Sequence, residues 1–355
     1  MAASINDVAR AAGVSTATVS RAVRNLPHVS TETRERVQRI AAEMGYTPTP
    51  SAASLASGRT RTIGLLTPWI NRWFFANVIE GAERYLRTNG FDVLLDAFDI
   101  HRDAPRRRVD PGVLRRRVDG ILVVGLPLEE DEVAALRDLG YPLVFVSAPA
   151  YGEVSVRIDD VVTARRATEH LLRLGHTVIG HITGSPDTIS GWRPPRYRMA
   201  GWQQALTDAG LEASEELVVD GYIDRHAGAA STRALLERVP GVTAVFAATD
   251  DLAFGALMAA RELGLRVPED LSVVGVDGHD AGEIVGLTTM AQPAMQQGAA
   301  AAALILDMVH GDPVPREVVF PTELIDRGST GPPRTWPLKP SRTPGYPSVA
   351  RTDHA

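Results

Sequence analysis

From Thr62 onward, short apolar runs alternate with longer amphipathic stretches, and this alternation constrains the fold more than any other feature of the sequence. The apolar runs are candidate strands at residues 63–66, 91–95, 120–124, 143–146, 178–182, 217–219, 244–248 and 273–276. The clearest candidate helices between them are 75–87, 164–174, 200–209 and 252–263. Strands that are apolar throughout are typical of parallel sheets buried on both faces. There are too many of them for one compact sheet, so the sequence predicts an α/β body of two Rossmann-like lobes.

The composition excludes several classes of protein. The chain of 355 residues contains no cysteine, which rules out a disulfide scaffold, a thiolate zinc site, an iron–sulfur cluster and a cysteine nucleophile. No apolar run approaches the roughly 20 residues that a membrane-spanning helix needs. The N-terminus carries Asp7 and lacks the apolar segment of a signal peptide, so we expect a cytoplasmic protein without a membrane partner.

The charges are distributed unevenly along the chain. Residues 1–60 contain seven arginines and four acidic residues, a net charge of +3, whereas the whole chain carries −6. A small basic segment joined to a larger acidic body is typical of a nucleic-acid-binding module attached to another domain. A charge of +3 on so short a segment is also compatible with chance, so the charge alone does not decide the function.

The N-terminal part of the chain predicts three short helices. Ser4, Ser15 and Ser30 each stand at the N-cap position before a helical pattern, and Asp7 follows Ser4 at the spacing of a capping box. Gly13 ends the first helix in a tight turn shortly before Ser15. Two helices joined in this way form a helix-turn-helix, and a plain three-helix bundle is the alternative.

A helix-turn-helix inserts its second helix into the major groove of DNA, with its N-terminal residues at the base edges. We therefore expect Thr16, Ala17 and Arg21 to face bases, because a hydroxyl, a methyl group and a guanidinium can each contact base edges there. Short hydroxyl side chains in the same segment suit phosphate contacts or helix caps; these are Ser15, Thr18 and Ser20.

A series of motifs closely resembles the lac-repressor (LacI/GalR) family of bacterial transcription regulators. In the N-terminal part they are residues 5–15 (INDVARAAGVS), 18–21 (TVSR), 29–30 (VS), 33–34 (TR) and 45–48 (GYTP). In the body they are residues 62–64 (TIG), 117–121 (RVDGI), 174–176 (LGH), 198–201 (R-x-x-G), 267–270 (VPED), 274–277 (VGVD), 287–289 (LTT) and 327–329 (RGS). The resemblance spans residue 4 to about residue 329.

The resemblance implies a role for the small, polar segment 47–60. In this family the segment folds into a hinge helix on operator DNA, and a leucine from each subunit enters the minor groove, where an apolar wedge kinks the duplex. Leu55 occupies that position, and we include Ala52 and His28 among the expected DNA contacts. The chain departs from the family pattern at four positions in or before the hinge segment: Arg24, Thr49, Pro50 and Ala53.

The two lobes predict a ligand site between them, because ligands of parallel sheets bind at the carboxyl ends of the strands. Polar residues stand directly after candidate strands at Thr67, Thr183, Thr249, Asp250 and Asp277. By the family resemblance, the expected effector contacts are Phe74, Thr183, Arg198, Thr249, Asp277 and Gln292, and the implied effector is a sugar or sugar derivative. Aromatic faces and paired polar groups suit such a ligand. Phe75 and Trp202 are more typical of core packing, and Trp192 is a weaker candidate contact.

The sequence lacks the common enzymatic signatures. No G-x-G-x-x-G follows a candidate strand, and neither a Walker A motif, a G-x-S-x-G elbow nor an H-E-x-x-H pair occurs. His170, His176 and His181 do not share a helical face. We therefore expect a protein that is not an enzyme and that needs no cofactor or metal. The alternative is a two-lobed small-molecule-binding protein or enzyme whose main activity lies in the effector domain.

Together these patterns predict an α/β protein with an all-α helix-turn-helix head, a hinge helix and a two-lobed, periplasmic-binding-protein-like body. The predicted boundaries are 1–46 for the DNA-binding head, 47–60 for the hinge and linker, 61–330 for the effector-binding and dimerisation domain, and 331–355 for a disordered proline-rich tail. The N-lobe comprises about 61–160 and 291–321, and the C-lobe about 161–290 and 322–330. The predicted function is repression of carbohydrate-utilisation genes by a homodimer that binds double-stranded operator DNA under the control of a small-molecule effector.

Overall fold

A three-helix head and two α/β lobes make up the described part of the chain. The computed structural model describes residues 3–23, 25, 27–46, 59–98, 100, 106–147, 152–184 and 193–334. The predicted fold class is confirmed for the head and for the two-lobed body. The predicted hinge helix lies outside the described residues.

The head consists of α1 (Ile5–Ala12), α2 (Thr16–Val23) and α3 (Thr31–Glu43), which pack around a small apolar core. Val8 of α1 and Val19 of α2 are fully buried in this core. The core is too small to stabilise the head by itself to any great degree, so the turns and caps that fix the helix ends contribute substantially.

The predicted caps of the head are confirmed. Ser4 Oγ accepts a hydrogen bond from the Asp7 N–H at 3.3 Å, and the Asp7 carboxylate accepts one from the Ser4 N–H at 3.0 Å. Ser15 and Ser30 each accept from the N–H three residues further on, at 3.1 and 3.3 Å. Gly13 has φ 64°, a left-handed conformation that glycine adopts readily. The turn between α1 and α2 is therefore fixed by local chemistry at both ends.

The N-lobe contains a six-stranded parallel sheet. Its strands are β1 (Thr62–Thr67), β2 (Asp92–Ala97), β3 (Gly120–Val124), β4 (Leu143–Val146), β5 (Val154–Ile158) and β11 (Glu317–Phe320), in the order β11-β5-β4-β3-β1-β2. The helices of this lobe are α4 (Trp73–Thr88), α5 (Pro111–Leu114), α6 (Glu130–Arg137) and α12 (Ala294–His310). Helices on both faces bury the central strands β1, β3 and β4 almost completely, which explains their continuous apolar sequences.

The C-lobe repeats this arrangement. Its strands are β6 (Ile179–Thr183), β7 (Val218–Asp220), β8 (Ala244–Ala247), β9 (Ser272–Asp277), β10 (Thr288–Ala291) and β12 (Glu323–Ile325), in the order β12-β10-β9-β8-β6-β7. All neighbours are parallel except β12, which runs antiparallel to β10. The helices are α7 (Asp160–Arg173), α8 (Pro194–Asp208), α9 (Arg225–Arg238), α10 (Asp250–Glu262) and α11 (Ala281–Val285), with a short 3₁₀ helix at Glu215–Leu217.

The chain passes between the lobes three times. The crossings follow β5, β10 and β11, so each sheet is assembled from separate parts of the sequence. The last crossing is tied to the C-lobe by Thr322, whose hydroxyl lies 3.0 Å from that of Thr163 and whose carbonyl accepts a hydrogen bond from Arg166 at 2.7 Å. Three crossings leave a cleft between the carboxyl ends of the two sheets.

Helix α4 approaches α12 very closely because glycines face each other at the crossing. A Cβ atom built on Gly81 of α4 would lie 2.0 Å from the Met295 carbonyl oxygen of α12. One built on Gly298 of α12 would lie 2.0 Å from the Val78 carbonyl oxygen of α4. No side chain fits at either position, so the backbones themselves are in contact.

The sequence predicts a disordered tail from Gly331 onward, but residues 331–334 contact the C-lobe. The Gly331 carbonyl accepts a hydrogen bond from His176 Nε2 at 2.8 Å, and its N–H donates to Ser272 Oγ at 3.0 Å. The Arg334 guanidinium donates to the Val242 carbonyl at 2.8 Å. These contacts attach residues 331–334 to the C-lobe, which the composition of the segment does not reveal. The remainder of the predicted tail lies outside the described residues.

Candidate functional site

Helix α2 presents two different faces. Val19 and Ala22 are fully buried against the other helices of the head, whereas Thr16, Ala17 and Arg21 are exposed. The three side chains that sequence analysis predicts to read bases therefore share the outward face of the helix. Short, methyl-bearing and guanidinium groups on one exposed helix face match the requirements of major-groove recognition.

The predicted hydroxyl residues divide between capping and surface roles. Ser15 Oγ caps α2 and lies 2.9 Å from Thr18 Oγ1, so both hydroxyls take part in the helix start. Ser20 is half-buried, and His28 is exposed in the turn after α2 with a φ of 68°. Several further predicted positions lie outside the described residues: Ala52 and Leu55, and the departures at Arg24, Thr49, Pro50 and Ala53.

Sequence analysis did not identify Gln38 as a residue that supports α2. Its Nε2 group donates to the Ala22 carbonyl at 2.9 Å and to Asn25 Oδ1 at 2.9 Å. A side chain of α3 thereby adds a second hydrogen bond to the Ala22 carbonyl, which also accepts from the Asn25 N–H at 3.2 Å.

The cleft between the lobes holds a cavity that opens to solvent. Five of the six predicted effector residues line it: Phe74, Arg198, Thr249, Asp277 and Gln292. These residues belong to both lobes and to the second crossing, and the fold brings them together around one cavity. A concave site with aromatic walls and a few polar groups is the usual form of a small-molecule site.

Thr183 and Thr67 are not among the lining residues. Thr183 is buried, and Gly184, the next residue, lines the cavity instead. Thr67 donates its hydroxyl hydrogen to the Trp69 carbonyl at 3.0 Å within the N-lobe. Successive side chains of a strand point to opposite faces. A position at the end of a strand therefore does not by itself direct a side chain into the cleft.

Arg198 is held rigidly at the cleft wall. Its Nε group donates to Asp160 Oδ1 at 2.8 Å, and one terminal nitrogen donates to the Ala248 carbonyl. Arg198 and Asp160 are both buried. Burial raises the pKa of the Asp160 carboxyl above its usual value, and the charge of Arg198 opposes this rise. The remaining N–H groups of the guanidinium are available to a ligand, because a guanidinium carries five donors in a fixed fork.

Asp250 and Asp277 perform different tasks although they lie close together. The Asp250 carboxylate accepts hydrogen bonds from the Gly278 N–H at 2.9 Å, the His279 N–H at 2.8 Å and the Thr289 hydroxyl at 2.7 Å. Burial raises the pKa of Asp250 to about 6. With its oxygens occupied by the backbone after β9, Asp250 braces the cleft wall and does not line the cavity.

Asp277 offers its carboxyl group to the cavity itself. Its Oδ1 atom accepts a hydrogen bond from Gln292 Nε2 at 2.7 Å. Burial raises the pKa of Asp277 to about 8, Arg198 opposes this effect, and the nearby charge of Asp250 adds to it. Asp277 also has an unusual φ of 139°. A strained, desolvated carboxyl group in a cleft is typical of a ligand-binding position.

Aromatic rings form the N-lobe wall of the cavity. Phe74 is half-buried and meets Phe75 edge-to-face, with ring centroids 5.3 Å apart. Phe75 is almost completely buried in the N-lobe core yet also lines the cavity. Trp73 stacks on His279 of the C-lobe at 5.5 Å. The first three residues of α4 thus provide aromatic faces opposite the polar C-lobe wall of the cavity.

Trp202 belongs to the C-lobe core, as the packing alternative predicted. It is fully buried, and its Nε1 group donates to the Ile179 carbonyl at 3.2 Å. It stacks on His181, whose pKa burial lowers to about 4. Trp192 lies outside the described residues.

Sequence analysis missed further cavity-lining residues, among them Arg72, Ser147 and Asp251. Ser147 directly follows β4 and has a φ of 92°, so the rule that found Thr249 and Asp277 could also have found it. Arg72 precedes α4, and its guanidinium lies 4.3 Å from the Trp69 ring centroid. In the part of the chain that the structure describes, no group of His, Asp and Glu side chains could hold a metal ion. No helix in the same ranges is long and apolar enough to cross a membrane.

Comparison with known protein families gives two matches. Residues 4–49 match the model of bacterial regulatory proteins of the lacI family. Residues 168–330 match a periplasmic binding protein-like domain. The first segment corresponds to the head with the start of the hinge. The second corresponds to most of the C-lobe together with α12 and β11 of the N-lobe.

Similar proteins cover nearly the whole chain. The HTH-type transcriptional repressor CytR of Escherichia coli (strain K12) is 36% identical over 335 residues, which is 93% of this chain and 96% of CytR. The HTH-type transcriptional regulator DegA of Bacillus subtilis (strain 168) is 35% identical over 341 residues, which is 94% of this chain and 99% of DegA.

Solved structures agree with this relationship. The lac repressor dimer bound to operator and the anti-inducer ONPF has a TM-score of 0.81 at 28% identity, over 93% of this chain and 100% of that one. The complex of the regulator CelR with cellobiose has a TM-score of 0.67 at 32% identity, over 92% and 99%. Head, lobes and their order along the chain are shared throughout, and the chain therefore belongs to the lacI family of bacterial regulatory proteins and is a DNA-binding transcription regulator.

Proposed function

We propose that this regulator is a homodimeric repressor of carbohydrate-utilisation genes and that a sugar or sugar derivative bound between the lobes controls its operator affinity. The observation that carries this proposal is the composition of one cavity. It brings the Arg198 guanidinium, the Asp277 carboxyl and the Gln292 amide opposite the rings of Phe74 and Trp73.

A polyhydroxylated ligand matches these groups. Each sugar hydroxyl donates one hydrogen bond and accepts others, so it pairs with a carboxylate and a guanidinium at the same time. The CH groups on a sugar ring face pack against aromatic side chains such as Phe74. The CelR–cellobiose complex, a structure of similar fold, supports the same ligand class.

The outward face of α2 supports direct reading of a DNA half-site. Two heads related by two-fold symmetry would occupy successive half-sites of a near-palindromic operator. Phosphate contacts make the affinity fall steeply with salt. By the family resemblance, Leu55 of each subunit enters the minor groove and Ala52 is a further DNA contact.

An exposed apolar surface on the C-lobe supports the homodimer. Ile284 and Val285 of α11 are 88% and 52% exposed. An adjoining groove is lined by apolar side chains of α10, including Phe254 and Met258. Exposed apolar surface of this kind is unfavourable in a monomer and typical of an interface. We place part of the subunit contact there.

Effector control follows from the three crossings between the lobes. A ligand that contacts both walls of the cleft favours one relative orientation of the lobes, and this orientation sets the spacing of the two heads. A coupling free energy of about 1–3 kcal/mol corresponds to about 5–150-fold regulation of operator affinity. The mechanism requires only that the effector bind the two orientations with different affinities.

The experiment that tests this proposal begins with selection of bound duplexes from a random DNA pool by the full-length protein at near-physiological salt. We expect enrichment of one near-palindromic sequence. Monosaccharides, disaccharides and nucleosides are then tested one by one for release of that duplex. Arg198→Met is the matched variant, which should bind the duplex without responding to the active compound.

Each outcome of this experiment is decisive. Release by a sugar that Arg198→Met ignores supports the proposal. Release by nucleosides alone contradicts the proposed ligand class but retains the repressor. A sugar that binds by calorimetry without changing DNA affinity favours a binding protein whose activity lies in the effector domain. Absence of any enriched sequence, with and without these compounds, contradicts specific operator recognition.

A further inference from the structure

A chain of side-chain amides leads from the cavity into the N-lobe. Gln292, in the second crossing, donates from Nε2 to Asp277 Oδ1 at 2.7 Å. Gln297, in the first turns of α12, donates from Nε2 to Gln292 Oε1 at 2.9 Å. Gln297 is fully buried and does not line the cavity. The chain therefore connects a ligand-facing carboxyl to a residue that no ligand can reach.

The two hydrogen bonds determine which way the Gln292 amide group is turned. Asp277 Oδ1 accepts, so the amide of Gln292 must turn its nitrogen toward the cleft and its oxygen toward α12. Gln297 stabilises this orientation because its N–H group faces that oxygen. If Gln292 alone were rotated by half a turn, its N–H groups would face the N–H groups of Gln297, and this contact would be repulsive.

Gln297 is an unfavourable choice for stability alone. Its Oε1 atom is buried and has no hydrogen-bond partner within the described residues. An unsatisfied buried acceptor of this kind lowers the stability of the fold, because the hydration it loses is not replaced. Its fully buried neighbours on α12 are apolar, such as Ala301 and Ile305. An apolar side chain of similar length would fill the same space without this cost, so the amide serves something other than packing.

We propose that Gln297 is a positioning residue that fixes the orientation of the Gln292 amide and thereby the polarity of the effector site. Held in this way, Gln292 offers the cavity its second N–H as a donor, while its oxygen is occupied. The effector atom beside Gln292 must then be an acceptor, such as a ring or hydroxyl oxygen, and not an N–H group. This statement about the effector rests on the proposed function, whereas the orientation of Gln292 does not.

The orientation can be tested on the full-length protein without DNA or effector. The bond from Gln292 lowers the pKa of Asp277, so losing the fixed orientation should raise that pKa. In Gln297→Met we expect the pKa of Asp277, followed by ¹³C carboxyl NMR and assigned with Asp277→Asn, to rise by about 0.5 to 1. The charges of Arg198, Asp250 and Asp251 also act on Asp277, and the Gln292 and Gln297 variants leave all three in place.

A matched control separates positioning from packing. Ile305→Val removes one methylene from another fully buried residue of α12. It should lower stability slightly and leave the titration of Asp277 unchanged. Gln297→Met should raise the pKa of Asp277 without lowering the denaturation midpoint below that of the control. Gln297→Leu is the second apolar variant should the methionine disturb α12.

A double-mutant cycle completes the test. Gln292→Met should raise the pKa of Asp277 by itself, and adding Gln297→Met should then have no further effect, because the intermediate link is gone. An unchanged pKa in Gln297→Met, or an equal rise with and without Gln292, overturns the positioning role. Either result leaves the repressor proposal intact, whereas failure to select an operator would contradict that proposal and not the orientation of Gln292.

Discussion

We expect the free energy of unfolding of Asp277→Asn to increase, relative to that of the unsubstituted protein, as the pH rises from 5 to 8. The pKa of Asp277 rises from an ordinary 3.8 to about 8 in the folded chain, chiefly through burial. Between these values the folded state holds a proton that the unfolded state has released. The unsubstituted protein therefore loses stability as the pH rises through this window.

The size of the effect follows from the same numbers. Each pKa unit corresponds to about 1.4 kcal/mol, so the three units between pH 5 and pH 8 set an upper limit of about 4 kcal/mol. The titration of Asp277 is coupled to the charges of Asp250 and Arg198, which reduces its own contribution. Between pH 5 and pH 8 we therefore expect the change in free energy of unfolding to differ by about 2–4 kcal/mol between the two proteins. Asparagine has the same shape as aspartate and accepts the bond from Gln292 through its amide oxygen, so it replaces the carboxyl at an unchanged backbone position.

The assay is urea denaturation at pH 5, 6.5 and 8, followed by circular dichroism. Asp312→Asn, which removes an exposed carboxyl, is the control and should run parallel to the unsubstituted protein. If the free energy of unfolding of Asp277→Asn has the same pH dependence as that of the unsubstituted protein, the reasoning is refuted. Such a result would mean that the fold does not hold Asp277 protonated. The same variant should weaken the response to the effector, because an amide replaces the carboxyl group that lines the cavity.

Three further substitutions test other parts of the molecule. Arg21→Ala should weaken binding to the selected operator by about 1–3 kcal/mol in fluorescence anisotropy; an equal loss on random DNA would assign Arg21 to phosphates instead of bases. Gly81→Ala should lower the free energy of unfolding by about 1–3 kcal/mol or more, whereas Gly241→Ala, where the added Cβ meets nothing within 4 Å, should change it by less than about 0.5 kcal/mol; equal effects would contradict the close crossing of α4 and α12. Ile284→Asp should convert the dimer to monomers in sedimentation velocity, and an unchanged dimer would place the subunit contact elsewhere.

The central strands were predictable because burial on both faces makes them apolar throughout. Strand β10 was not predicted, although Thr288 and Thr289 within it are fully buried. Their hydroxyls are hydrogen-bonded to Asp326 at 3.0 Å and to Asp250 at 2.7 Å. A pattern based on polarity misses such a strand, because the acids that satisfy its hydroxyls are distant in sequence. The edge strands β11 and β12 were missed for a different reason: their exposed positions carry charged residues such as Glu317 and Glu323.

The sequence predicted which residues stand near the candidate site but not which way their side chains point. The rule that ligands bind after parallel strands led to Thr249 and Asp277, which line the cavity, and equally to Thr67 and Thr183, which do not. Which way a side chain turns depends on neighbours that only the folded chain brings together. The amide of Gln297 illustrates this limit, since nothing in its local sequence distinguishes it from a solvent-exposed glutamine on a helix.

The three crossings between the lobes also determine the order in which a newly made chain can acquire its functions. The three helices of the head and their apolar core lie within the first 46 residues, and domains generally fold as units from the N-terminus during synthesis. Neither lobe is contiguous: the N-lobe sheet waits for β11, and the C-lobe sheet waits for β12 and for the contacts of Gly331 with His176. A growing chain thus gains its DNA-reading surface long before it gains a cleft, and the capacity to be switched is the last property to form.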